Sequence, residues 1–187
     1  MPRIRRLGAT IAVAATAALA VSSVAAAHDG PWFGPSGFDD KWVGTADADE
    51  YTAPEDSRDL IIGLGGNDRL SAGNRRDVVF GNGGNDAIDG GEGRDLIRGG
   101  LGDDRLAGGD QADKILGGPG DDGINGQAGR DIIRAGRGAD LIIANDGQRD
   151  VISCGAGKDT VRADKRDRIS RDCERVVRVR PVSSVSP

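Results

Sequence analysis

The chain has 187 residues, of which 29% are charged and only 3% aromatic. The length suits one domain, yet large apolar side chains are too few for an ordinary globular core, so another device must hold the chain together. A formal charge of −5, carried mainly by aspartate, excludes the basic surface that a nucleic-acid partner demands.

At the N-terminus, Arg3, Arg5 and Arg6 precede an apolar run that closes in Ala25, Ala26 and Ala27. A basic start, an apolar stretch and a small-residue A-x-A site are the parts of a secretory signal peptide, so residues 1–27 are read as a Sec leader. A retained anchor and a twin-arginine route through Arg5 and Arg6 are the weaker readings. Loss of the three leader arginines would take the formal charge from −5 to −8. Residues 28–43 are expected to cap the fold that follows. Trp32, Phe33, Phe38, Trp42 and Tyr51 gather near this end, where a repeating fold must cover its first apolar layer. Stacking on sugars is the alternative use of such a cluster.

From residue 44 to residue 171 a nine-residue period governs the chain. Asp68, Asp77, Asp86, Asp95, Asp104, Asp113, Asp122, Asp131 and Asp140 stand nine apart, and Asp150 and Asp159 continue the series after one extra residue. Two places after each comes an aliphatic residue, from Leu70 and Val79 through to Ile152 and Val161. The fullest units are GGEGRDLIR from Gly90, GGLGDDRLA from Gly99 and GGPGDDGIN from Gly117, which fit G-G-x-G-x-D-x-U-x. Fainter units place Asp49 with Tyr51, Asp59 with Ile61 and Asp167 with Ile169. Glycines permit positive φ and expose carbonyl oxygens, while x-U-x reads as a three-residue strand with its aliphatic side chain inward.

This unit resembles the RTX calcium-binding repeat. The resemblance implies an all-β fold, a right-handed parallel β-roll with two nonapeptides per coil, and several Ca2+ ions held between neighbouring turns. The implied ligand positions are the aspartates of the series together with turn glycines Gly63, Gly66, Gly81, Gly84, Gly90, Gly93, Gly99, Gly102, Gly117, Gly120, Gly138 and Gly157. Calcium takes six to eight oxygens, so one turn offers half a site and the next coil completes it. Without metal, stacked aspartates repel and a glycine-rich chain pays heavily in entropy, so the apo chain is expected to be disordered. The competing account makes each aspartate a turn cap bonded to backbone amides.

Alternate units fall on opposite edges. One column holds Asp68, Asp86, Asp104, Asp122, Asp140 and Asp159, each preceded two places earlier by glycine. In the other, Asp77, Asp95, Asp113, Asp131 and Asp150 follow Arg75, Gly93, Gln111, Gly129 and Gln148. The glycine-complete edge is expected to bind calcium tightly. The other edge is expected to bind weakly, its bulky residues straining the turn or displacing the ion.

Cys154 and Cys173 are separated by nineteen residues where one coil is eighteen, which stacks them within disulfide reach. The ending RDCERVVRVR resembles the tails of secreted actinobacterial RTX-type proteins. Residues 172–187 are read as a C-terminal cap and basic tail, and the Lys and Arg residues of 165–180 could attract an anionic cell-wall polymer. His28 is the sole histidine and no G-x-S-x-G elbow occurs, which argues against zinc-protease or serine-triad chemistry. No membrane-inserting segment follows the leader. The reading is a secreted or cell-surface, non-catalytic calcium-binding protein, with a calcium-dependent adhesin or carbohydrate-binding module as the alternative and an enzyme as the least favoured.

Overall fold

A computed structural model of the protein describes residues 37–179. Its regular elements are strands: β1 (Asp40–Val43), β2 (Glu50–Thr52), β3 (Asp59–Gly65), β4 (Arg69–Ser71), β5 (Val78–Gly83), β6 (Ala87–Asp89), β7 (Leu96–Leu101), β8 (Arg105–Asp110), β9 (Lys114–Pro119), β10 (Gly123–Ala128), β11 (Ile132–Arg137), β12 (Leu141–Ala144), β13 (Val151–Ala156), β14 (Thr160–Ala163), β15 (Arg168–Ile169) and β16 (Arg175–Arg178). The odd strands form one eight-stranded sheet and the even strands another. All pairings are parallel, so the chain crosses from sheet to sheet and completes a coil every two strands. The all-β parallel roll expected from the repeat is the observed fold.

Register follows the period. Ile97 pairs with Ile115 one coil on, and the extra residue before Asp150 is absorbed without a slip, since Ile133 still pairs with Ile152. The straight runs are longer than the three residues expected: β7 passes through Gly99 and Gly100 to Leu101. Those residues stay in the ladder because Asn82 and Gly83 in the neighbouring coil pair with Gly100 and Leu101, although Gly100 takes a φ of +131°. A slip of one residue would turn the aliphatic side chain outward, which fixes the register strongly.

The core is a double ladder of single side chains. Ile61, Val79, Ile97, Ile115, Ile133 and Ile152 come from one sheet and Leu70, Ile88, Leu106, Ile124, Ile142 and Val161 from the other, all nearly inaccessible. At the first coil, Trp42 and Tyr51 stack with ring centroids 4.6 Å apart and pack against this core. Phe38 is half-buried, whereas Trp32, Phe33 and the leader lie outside the described residues. Strands β1 and β16 carry the pairing into both segments read as caps. Among the described residues no helix is long and apolar enough to cross a membrane.

Cys154 and Cys173 are disulfide-bonded, with Cα atoms 5.2 Å apart. The bond closes the final coil over Cys154, which is fully buried. In the loop-entropy description a cross-link of this span contributes about 3 kcal/mol. The double variant Cys154→Ser and Cys173→Ser is therefore expected to melt earlier in calcium, by calorimetry, with its strand content kept below the transition.

Candidate metal sites along the turns

The turns that lead from odd to even strands make the first edge and carry Asp68, Asp86, Asp104, Asp122, Asp140 and Asp159. The return turns make the second edge and carry Asp59, Asp77, Asp95, Asp113, Asp131 and Asp150. All twelve side chains are at most 2% exposed, although carboxylates are seldom buried without compensation.

Each carboxylate divides its two oxygens between different tasks. In Asp59 one oxygen accepts the Ser57 hydroxyl; in the other eleven one accepts the backbone N–H of the aspartate one coil earlier, so the Asp86 N–H donates to Asp104 Oδ1 at 2.9 Å and the Asp104 N–H to Asp122 Oδ1 at 2.9 Å. On the second edge the Asp95 N–H donates to Asp113 Oδ1 at 2.8 Å. The first column ends where the Asp159 N–H donates to Glu174 Oε2, and the second ends on Asp167 Oδ1. The remaining oxygen has no hydrogen-bond partner in any of the twelve; it is Oδ1 in Asp59 and Oδ2 in the others. The capping account thus explains half of each side chain, a task asparagine could share. It leaves a buried, charged oxygen without a function.

Burial is the main force raising the pKa values of eleven of these carboxyls, from Asp59 to Asp150, and in most of them neighbouring aspartates add to it against a hydrogen bond. Asp104 and Asp140 are pushed up to about 6 and Asp122 to about 7. On the second edge Asp77 reaches about 6, while Asp95, Asp113, Asp131 and Asp150 reach about 7. Groups held this way resist ionisation unless a cation joins them.

Where a turn opens on glycine, the carboxylate and the next coil approach its backbone closely. A Cβ at Gly99 would lie 2.1 Å from Asp104 Oδ2, and one at Gly117 would lie 2.3 Å from Asp122 Oδ2 and 2.5 Å from the Ala135 carbonyl oxygen. Carboxylate and next-coil carbonyl therefore close on the glycine Cα more tightly than a side chain would allow, which brings a charged and a main-chain oxygen to the same turn. On the second edge the carboxylate distances are longer, 2.8 Å at Gly90 and 2.7 Å at Gly108, while the carbonyl distances of 2.3 Å and 2.6 Å are similar. Ala72, Ala135, Ala144 and Cys154 occupy this opening place in other turns and are buried. Among the described residues no three His, Cys, Asp or Glu side chains gather into one site, so an ion here must draw on main-chain carbonyls. Hard oxygen donors of mixed charge suit calcium.

Arg75 and Gln111 strain the backbone, as their bulk suggested. Both take a φ of +78°, within the left-handed region that Gly66 and Gly84 also occupy. The strain is borne by the backbone, and the register is kept. Leu64, Asn82 and Gln127 likewise have positive φ, a second left-handed place in the repeat that the glycine pattern alone did not single out.

Two further columns escaped the sequence reading. On the first edge, Asn67, Asn85, Asp103 and Asp121 each accept a backbone N–H from the next coil through Oδ1. In the equivalent place on the second edge stand Arg58, Arg76, Arg94, Arg130, Arg149 and Arg166, all exposed. Apart from Ala112, which interrupts the arginines, the spacing of one coil was visible, but its meaning depends on knowing which turns share an edge.

Stacked coils, paired parallel sheets and two columns of half-satisfied carboxylates define a parallel β-roll with two acidic edges. The family model for the RTX calcium-binding nonapeptide repeat matches residues 62–97, 89–124, 98–133, 116–149 and 125–161, over half of the chain together. The protein belongs to the RTX calcium-binding nonapeptide repeat family. A comparison with curated proteins finds no match. The repeats imply several Ca2+ ions, and the stacked aspartates fit them.

Proposed function

We propose that this is an exported, non-catalytic structural protein that folds as it loads calcium between successive coils. The observation that carries this reading is the set of twelve buried carboxylate oxygens without a partner. Residues 1–27 serve as the leader, and the disulfide suits an oxidising compartment. Asp68, Asp86, Asp104, Asp122, Asp140 and Asp159, with glycines such as Gly63, Gly81, Gly99 and Gly117, form the tight edge. The second edge binds more weakly, because its arginine column adds positive charge and four of its carboxyls are raised to about 7.

Asparagine substitution separates the two tasks of the aspartate. Asp122→Asn keeps the oxygen that accepts the Asp104 N–H and removes the charge, so calorimetry is expected to show fewer tight calcium sites. Asp113→Asn is expected to alter only the weaker class. A wild-type titration with one uniform class covering every stacked turn would overturn the unequal edges.

A glycan or anionic cell-wall polymer is a second reading of the partner. It is supported by β16, whose residues are all exposed and include Arg175 and Arg178. The Trp42 and Tyr51 stack supports it less, since that pair packs on the core. Pelleting with purified wall and a glycan array, both in calcium, test this reading.

A further inference from the structure

The outward face of the odd sheet differs from the rest of this acidic chain. In each odd strand the residues on either side of the core aliphatic point away from the core. Five of these outward residues are cations, Lys41, Arg98, Lys114, Arg134 and Arg168, and all five are exposed. Most of the others are apolar, including Ile62, Val78, Phe80, Leu96 and Ile132, and Ile132 is 43% exposed. The remainder are serines, so no outward residue flanking a core position in this sheet is a carboxylate. The even sheet carries Glu50 and Asp89 in the same places. Among the described residues none of the five cations forms a salt bridge.

We propose that this face docks on an anionic lipid surface, lying on the bilayer without inserting. The proposal rests on the calcium-loaded roll described above. Eight strands at about 4.8 Å spacing give a rigid platform roughly 34 Å long. Lys and Arg meet the lipid phosphates while the aliphatic side chains enter the headgroup boundary. A second copy of the chain fits poorly, because two such faces would bring cations against cations, with the carboxylate of Asp172 held only at the Ser153 end. A purely polar polyanion would use the cations and leave Val78, Phe80 and Leu96 without a partner. Calcium contributes by neutralising the edge carboxylates that would otherwise repel the membrane.

The test is co-sedimentation of the full chain, in millimolar calcium, with vesicles of phosphatidylglycerol and phosphatidylcholine or of phosphatidylcholine alone. Strand content in calcium is checked first for each variant, so a failure to fold is distinguished from a failure to dock. The wild type is expected to bind only the anionic vesicles. Lys114→Glu with Arg134→Glu is expected to weaken binding by more than about tenfold, and Val78→Ser with Leu96→Ser to weaken it as well. The even-sheet control Arg69→Glu with Arg105→Glu is expected to bind like the wild type. The proposal is overturned if the folded wild type ignores anionic vesicles, or if the odd-sheet and even-sheet reversals act equally, which would indicate calcium bridging. It is also overturned if the serine variant binds unchanged, or if the wild type sediments without lipid as a dimer that these substitutions dissolve.

Discussion

In excess chelator at about pH 7.5 the chain is expected to lose its strand signal in circular dichroism, and to regain it in millimolar calcium. At that pH the edge carboxyls favour ionisation, yet the roll holds them buried and stacked one coil apart. The pH dependence has a definite sign. In the metal-free roll Asp77, Asp95, Asp104, Asp113, Asp122, Asp131, Asp140 and Asp150 are pushed up to about 6 or 7, above the ordinary 3.8, chiefly by burial. The folded state therefore keeps protons that the unfolded chain releases. Their stabilising contribution is full below about pH 4 and is lost as pH rises through about 7. Metal-free samples should gain strand content on acidification from about pH 7.5 to 5, while calcium affinity falls over the same interval because protons and calcium compete. Strand content in chelator equal to that in calcium at neutral pH would refute coupled folding. Parallel pH slopes with and without calcium would refute the competition.

Gly102→Ala is expected to be among the most damaging single-methyl changes in the roll. Gly102 has a φ of +117°, and an added Cβ would lie 2.2 Å from the Gly84 carbonyl oxygen and 2.7 Å from Asn85 Oδ1. The methyl meets both backbone strain and the coil beneath it, so neighbouring turns must separate where they need to share an ion. Denaturant unfolding in calcium should show a loss of about 2 kcal/mol or more, and the calcium midpoint should shift upward. Gly83→Ala is the control: its nearest neighbour to an added Cβ is 3.8 Å away, and its effect should stay within about 0.5 kcal/mol. Equal losses in the two variants would show that chain entropy, and not stacking distance, sets the need for glycine.

The fold was legible because the repeat constrains itself. One aspartate, one aliphatic residue and a glycine-rich approach recur at a fixed interval, and no other arrangement buries Ile97, Ile115 and Ile133 together while placing Asp95, Asp113 and Asp131 in one column. The disulfide was legible for the same reason, since Cys154 and Cys173 differ by nearly one coil. The arginine column and the asparagine and aspartate column were harder to read, because each appears only when every second turn is compared. The part played by Glu174 was hidden entirely, as it lies outside the period and reaches Asp159 through the shape of the last coil.

By itself the sequence determined the parallel roll, its register and the aspartates that face the turns, because a nine-residue period leaves one way to put the apolar side chain inside. The tertiary structure decided how each carboxylate is used. Stacking brings an amide to one oxygen and leaves the other buried and unmatched, a division that depends on the coil above. It also decided that Arg75 and Gln111 bend the backbone instead of breaking the turn, because pairing on both sides holds them in place. The composition of each outer face likewise became visible only once the strands were sorted between two sheets, since adjacent units in the chain never share one.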